Sequence, residues 1–315
     1  MKSVQINRYG GSEVVEINKD MPEPTISAGK VLVNVKAAGV NPADWKIREG
    51  YFLQMIPLQF PSTMGTDISG IIKEFGEGVS NSGLEKGDEV YGQASAIFSG
   101  GSGAFAELAL ANKDSIAHKP KTLNLEEAAA LTTVGVSAWQ ALVENIRLSK
   151  DKKILIHGGA GGIGSIAIQL AKHLGAYVAT TVSTNDEQFV QELGVDRVIN
   201  YKTENFEENI HDYDAVFDTV GGDTYKRSFK VLEKGSGIIV SMLEQPNSDL
   251  MNQYGVKAVF LFSQANRERL TKLAEWVDLN NIKVNIDKTF PLDEAAKALE
   301  YQKDSHPRGK VVLTI

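Results

Sequence analysis

The run Ile154-Leu155-Ile156-His157-Gly158-Gly159-Ala160-Gly161-Gly162-Ile163-Gly164 constrains this chain more than any other stretch. An apolar segment from Lys153 to His157 ends in glycines, and the residues beyond them take up helical periodicity. Ile163, Ile166, Ala167, Leu170, Ala171 and Leu174 recur on one helix face. Lys172 and His173 fall where cations suit the negative end of a helix, and Gly175 stands where a C-cap belongs. Tyr177 to Val182 is a second β-prone run. The order strand, glycines, helix, strand predicts a β-α-β unit.

Gly159, Gly161 and Gly164 fit G-x-G-x-x-G in the setting that gives this pattern meaning. The first glycine permits a tight turn, the second lets backbone approach a pyrophosphate, and the third lets helix and strand pack closely. The diphosphate would lie on unpaired N–H groups at the positive end of the helix. An ordinary strand-to-helix turn with chance glycines is the competing reading, and the order of elements counts against it. A Walker loop is excluded, because Ser165 follows Gly164 with no Gly-Lys-Ser/Thr.

Length and composition bound the remaining choices. A chain of 315 residues is long enough for two domains with sizeable cores. With 42% hydrophobic and 23% charged residues it reads as globular rather than disordered. A net charge of −7 argues against a nucleic-acid partner, since phosphate contacts need clustered Lys and Arg. No apolar run approaches a membrane span. The opening Met1 to Ile6 lacks the apolar core of a secretion signal. The absence of cysteine removes disulfides, thiolate nucleophiles and Cys-ligated zinc together. A cytoplasmic location is expected.

Residues 1 to about 118 read as mostly β: Val31, Val33, Val35 and Ala37 alternate with Leu32, Asn34 and Lys36. Near Asn124, a plausible N-cap, the character changes to helix. Ser137 to Val143 reads as a further helical run. Strands at Arg197–Asn200, Asp214–Asp218, Gly237–Ser241 and Val256–Phe262 then alternate with helices and complete a six-strand set. That alternation calls for a parallel, doubly wound sheet. Helices follow at Arg267–Leu279 and Leu292–Tyr301, and a terminal strand, Gly309–Ile315, is expected to return to the N-terminal β region.

The motifs Gly39-Val40-Asn41-Pro42-Ala43-Asp44, Gly65-Thr66-Asp67-Ile68-Ser69-Gly70, Gly87-Asp88-Glu89-Val90-Tyr91-Gly92, Gly135-Val136-Ser137-Ala138-Trp139, Asp218-Thr219-Val220-Gly221-Gly222 and Gly309-Lys310-Val311-Val312-Leu313 occur in that order around the glycine turn. In these the chain resembles the medium-chain dehydrogenase/reductase superfamily, and within it the zinc-free, zeta-crystallin-like quinone oxidoreductases. The resemblance covers nearly the whole chain. It implies an α/β protein in which a Rossmann doubly wound parallel sheet (123–265) is inserted into a GroES-like β-rich domain (1–122, completed by 266–315). It also implies an active site in the cleft between the domains and a homodimer formed through the Rossmann sheets.

The resemblance places Asn41 where zinc-dependent relatives carry a cysteine ligand, and Gly65-Thr66-Asp67 where they carry Gly-His-Glu. No metal site is therefore expected. Without a Lewis acid to lower an alcohol's pKa, alcohol oxidation is disfavoured. Reduction of a quinone or an α,β-unsaturated carbonyl fits better, because the substrate itself takes up negative charge. The coenzyme turns on Ser183, 19 residues beyond Gly164, where an NAD site wants Asp or Glu. A small neutral residue leaves room for a 2′-phosphate, and Tyr201 matches a tyrosine that packs beside it, so NADP(H) is expected. Against this stands Asp186, aligned with the family's phosphate-pairing lysine.

The remaining cofactor candidates are Ser137, Gly159, Ala160, Gly161, Gly162, Ile163, Gly164, Thr219, Val220, Gly221, Ser241 and Phe260. Ser137 has an alternative as a helix-start serine. On the substrate side, Asn41 is a candidate donor to a substrate oxygen or the nicotinamide ribose. Asp44 and Asp67 form the expected cleft floor, with Asp67 alternatively paired to Lys46 or Arg48. Tyr51 is a candidate lid or proton donor. The five histidines form no Ser-His-Asp constellation. An NADPH-binding regulatory protein with little turnover, and an enoyl-thioester reductase, are the alternatives to a quinone or enone reductase.

Overall fold

The structure is a computed structural model that describes residues 1–55, 57–79 and 83–315. In chain order the strands are β1 (Ser3–Ile6), β2 (Val15–Asn18), β3 (Lys30–Val40), β4 (Ser62–Thr63), β5 (Asp67–Phe75), β6 (Glu89–Gln93), β7 (Leu108–Asn112), β8 (Ile116–His118), β9 (Lys153–His157), β10 (Tyr177–Val182), β11 (Arg197–Asn200), β12 (Ala215–Asp218), β13 (Ile238–Ser241), β14 (Lys257–Phe260), β15 (Ile286–Pro291) and β16 (Lys310–Thr314). The helices are α1 (Pro42–Arg48), α2 (Leu125–Trp139), α3 (Gly162–His173), α4 (Glu187–Glu192), α5 (Phe206–Asn209), α6 (Gly222–Ser228), α7 (Ser248–Tyr254), α8 (Arg267–Asn280) and α9 (Ala295–Asp304). Among the described residues no helix is long and apolar enough to cross a membrane.

The chain forms two compact units, one of residues 1–133 and 265–315, the other of residues 134–264. The division falls inside α2 and just before α8, where the sequence reading divides at 122/123 and 265/266. The first turns of α2 belong with the first unit for a local reason. The Ser69 hydroxyl donates to the Leu125 carbonyl, and Thr133 bonds Asp67 through both its N–H and its hydroxyl.

In the first unit β3 is the central strand. It pairs antiparallel with β5, β7 and β16, within a mixed sheet running β15-β16-β3-β5-β6-β8. Its alternation buries Val31, Val33 and Val35 against Ile68, Ile72 and Phe105, while Asn34 and Lys36 stay half-exposed. β1, β2 and β4 make a small antiparallel sheet beside it. The terminal strand β16 returns as anticipated and lies antiparallel to the end of β3, with Val311 opposite Val40.

The second unit is a six-stranded, all-parallel sheet in the order β11-β10-β9-β12-β13-β14. Its strands are near-continuous apolar runs, as expected where helices cover both faces. The chain leaves β9 towards β10 and β11, then restarts at β12 on the opposite side of β9. The crevice at the strand carboxyl ends where that reversal occurs is the usual ligand position in such sheets.

α2 is one helix where the sequence suggests two runs, and it continues into a π-helical turn, Gln140–Asn145. Gly135 does not break it, because the flanking apolar residues are all buried. Asn124 caps it as read: its side chain accepts from the Glu127 N–H while the Glu127 carboxylate accepts from the Asn124 N–H.

Candidate active site

In the second unit the site grows from the turn after β9. Gly158 takes φ +71°, a conformation that side-chain-bearing residues rarely adopt. Gly161 is the N-cap of α3 and no side chain caps the helix start, so the first N–H groups of α3 stay available to an anion. A Cβ on Gly159 would lie 2.1 Å from the Thr180 hydroxyl, and one on Gly164 only 2.2 Å from the Gly158 carbonyl. A Cβ on Gly161 would meet nothing closer than that carbonyl, at 3.4 Å. Gly159 and Gly164 therefore allow close packing, while Gly161 keeps the helix entrance open. This turn fits a dinucleotide's diphosphate, with Ala160, Gly162 and Ile163 half-buried beside it.

Three strand ends brace the turn. His157, fully buried, closes β9. Its Nε2 lies 2.9 Å from the Ser228 hydroxyl and its Nδ1 lies 3.0 Å from the Thr181 hydroxyl. Ser228 gives its own proton to the Thr224 carbonyl, so Nε2 is the protonated nitrogen and Nδ1 accepts from Thr181. The Thr181 oxygen in turn accepts from the Gly158 N–H. Burial pushes the His157 imidazole down to about 4, so it is neutral at ordinary pH. The Thr219 hydroxyl donates to the His157 carbonyl. The Asp218 carboxylate accepts from the N–H groups of Val220 and Gly221 and from the Ser241 hydroxyl, which accepts in turn from Leu243 and Glu244.

Thr219, Val220, Gly221, Ser241 and Phe260 thus stand together at the carboxyl ends of β12, β13 and β14. Ser183 and Tyr201 stand at the ends of β10 and β11, with Tyr201 58% exposed. Ser137 is buried in the last turn of α2, not at a helix start. Asp186 does not stand apart: its carboxylate accepts from the Ser183 hydroxyl at 2.7 Å.

In the first unit, Asn41, Asp44 and Asp67 meet in one buried polar cluster. Pro42 holds Asn41 extended, at φ −122° and ψ 154°, as the N-cap of α1. The Asn41 N–H donates to Asp44 at 2.7 Å, and the Thr66 hydroxyl donates to the other Asp44 oxygen. The Asn41 side-chain amide donates to Asp67 at 2.9 Å. Asp67 also accepts from the Thr133 hydroxyl and N–H, and from Gln93. Burial raises both carboxyls, Asp44 to about 7, with the hydrogen bonds and a nearby ammonium opposing it.

That ammonium belongs to Lys310, which sequence reading assigns no role. Its side chain is 3% exposed and donates to the Val40 carbonyl at 2.7 Å and to Asn41 Oδ1 at 2.6 Å. The cation that faces Asp67 is therefore not Lys46 or Arg48. Arg48 is buried against Glu49 and Glu300 instead. The available signal for Lys310 was a lysine directly before the apolar run Val311–Leu313. Tyr51 stands 66% exposed after α1, edge-on to Trp45 at 5.7 Å.

Comparison with known proteins shows the family. Residues 27–121 match the alcohol dehydrogenase GroES-like domain family, and residues 193–313 match a family described as zinc-binding dehydrogenase. The chain is 33% identical to the NADPH-dependent alkenal/one oxidoreductase of Arabidopsis thaliana, over 99% of this chain and 79% of that protein. The quinone oxidoreductase of Coxiella burnetii superposes with a TM-score of 0.89 at 34% identity, covering 100% of this chain and 99% of that one. The Escherichia coli quinone oxidoreductase complexed with NADPH superposes with a TM-score of 0.88 at 28% identity, covering 100% of both chains.

Proposed function

This chain belongs to the medium-chain dehydrogenase/reductase superfamily, among its quinone-oxidoreductase-like members, and from that premise we propose that it reduces quinones or α,β-unsaturated carbonyls with NADPH and without zinc. The observation that carries the reading is the donor set around Asn41. An amide oxygen that accepts from an ammonium, and a carboxylate held by Thr133 and Asn41, replace ligands that a metal would need. The chain has no cysteine and, among the described residues, no group of three His, Asp or Glu side chains that could hold a metal, so the zinc implied by one family description does not fit these residues. An alcohol would find no Lewis acid here, whereas an electron-poor acceptor needs only a donor for its oxygen.

When bound, NADPH supplies a hydride from its reduced nicotinamide. The open start of α3 and the glycine turn would hold its diphosphate. Ser183 and Tyr201 would flank the adenosine end. Thr219, Val220, Gly221, Ser241, Phe260 and Ser137 would flank the nicotinamide end. Asn41 orients the acceptor through an amide N–H, and Asp44 and Asp67 fix Asn41 in place. An acceptor that took up that hydride at carbon would carry the displaced electron pair on oxygen, where the Asn41 amide would bind it, and solvent or Tyr51 would supply the proton. Positioning supplies most of the acceleration.

The test follows 340 nm absorbance with NADPH and a panel of quinones and enones. Turnover in at least one class is expected. Coenzyme binding without turnover in either class would overturn the reading in favour of a binding protein. The reading includes a cytoplasmic homodimer formed through the Rossmann sheets; light scattering in solution checks the mass.

A further inference from the structure

Lys310 is costly where it sits. Removing an ammonium from water is costly unless hydrogen bonds and opposite charge offset it, and the next three residues of β16, Val311, Val312 and Leu313, are apolar and fully buried. A carbonyl acceptor alone, such as Val40, needs only a neutral donor. The structure shows a more specific arrangement. The ammonium's hydrogen bonds go to Val40 and to Asn41 Oδ1, while Asp44 and Asp67 are bonded by Asn41, Thr66, Thr133 and Gln93. The cation is directed at the amide; burial lowers the ammonium's pKa from its ordinary value, and the charges of Asp67 and Asp44, further away, oppose that shift. A charged donor on an amide oxygen draws electron density from the nitrogen and makes its N–H groups stronger donors. One of those N–H groups is taken by Asp67, and the amide has a second.

We propose that Lys310 is the fixed cation of the reduction site, a positioning residue that polarises the Asn41 amide so that its second N–H binds the acceptor oxygen more tightly as that oxygen gains negative charge. This rests on the reductase reading for the identity of the acceptor. Lys310 itself transfers nothing. It occupies, with an ammonium, the electrostatic role that a metal ion fills when it polarises a carbonyl, and it acts at one remove, through Asn41.

The test compares wild type with K310M and with K310M/D67N, which removes the facing carboxylate's charge together with the ammonium. Each full-length protein is saturated with NADP+ and titrated with 4-nitrophenolate, which mimics the charged oxygen, and with 4-nitroanisole, its neutral counterpart. Wild type is expected to prefer the phenolate. In K310M/D67N phenolate affinity should fall at least tenfold and nitroanisole affinity by less than twofold. With a quinone, kcat should fall on the order of 100-fold, as for loss of one oxyanion donor, with KM within a few-fold. A folded double variant that keeps the phenolate preference, or a wild type that binds both ligands equally, overturns the proposal. Should neither methionine variant fold, K310R retains the charge. Retained phenolate preference in it supports the proposal, and loss of that preference overturns it. A wild type inert towards all quinones and enones yet selective for phenolate would refute the reductase reading and leave the role of Lys310 standing.

Discussion

Replacing Gly161 and Gly164 separately by alanine should divide coenzyme binding from stability. At Gly164 the new methyl would lie 2.2 Å from the Gly158 carbonyl oxygen and 2.7 Å from the Gly159 Cα. Both are backbone atoms, so the turn and α3 must part by about an ångström. Such overpacking costs roughly 1–3 kcal/mol, against a helix-propensity gain of at most about 1 kcal/mol. The net loss of roughly 1–2 kcal/mol corresponds to a fall in Tm of about 2–3 °C for a chain of 315 residues.

At Gly161 the backbone has φ −72° and ψ 171°, open to alanine, and the methyl meets only one atom, at 3.4 Å. Here the small gain from a stiffer unfolded chain and the small loss of an N-cap glycine nearly cancel. Tm should therefore move by no more than about 1 °C. The methyl would stand at the helix entrance assigned to the diphosphate, and NADPH affinity should fall at least tenfold, about 1.4 kcal/mol. Thermal unfolding of the free proteins and fluorescence titration with NADPH give the two readouts. Wild-type NADPH affinity in G161A would refute the placement of the diphosphate, and an unchanged Tm in G164A would refute the packing argument.

Two further outcomes follow from the same unit. His157 is held neutral, at about 4, so below its ordinary value near 6.5 the unfolded chain binds a proton that the folded chain refuses. This group's contribution to stability is full above pH 6.5 and declines as pH falls from 6.5 towards 4. H157Q should be less stable at pH 7.5 by about 1–3 kcal/mol, through its lost hydrogen bonds, and should lose less than wild type between pH 6.5 and 5. Parallel urea-midpoint curves for the two proteins would contradict this. Asp186, tied to Ser183, places a carboxylate beside the expected 2′-phosphate. D186S should tighten NADPH binding about three- to tenfold and leave NADH within twofold; equal changes for both coenzymes would remove Asp186 from coenzyme choice.

Much of the fold was legible because its signals are local. The glycine turn, the apolar stripe of α3 and the Asn124–Glu127 capping box each depend on residues within a turn or two of one another. The alternation in β3 needs only a period of two. The positions at the carboxyl ends of β12 to β14 follow from the alternation of strands with helices, since in such a sheet those ends lie along one edge. The extent of α2 was less legible, because burial rather than propensity carries the helix past Gly135.

By itself, then, the sequence determined a parallel sheet with a glycine turn opening a helix, a β-rich partner unit and the absence of thiolate chemistry. Each depends on chain connectivity or composition alone. Only the tertiary structure decided what surrounds Asn41 and His157. Lys310 reaches Asn41 across 269 positions because the register of β16 on β3 sets Val311 opposite Val40. His157 finds Ser228 across 71 positions because the last residue of α6 comes back to the last residue of β9. A buried charge or a neutral imidazole is set by whatever long-range neighbours exclude water from it, and no periodicity in the chain encodes which neighbours those are.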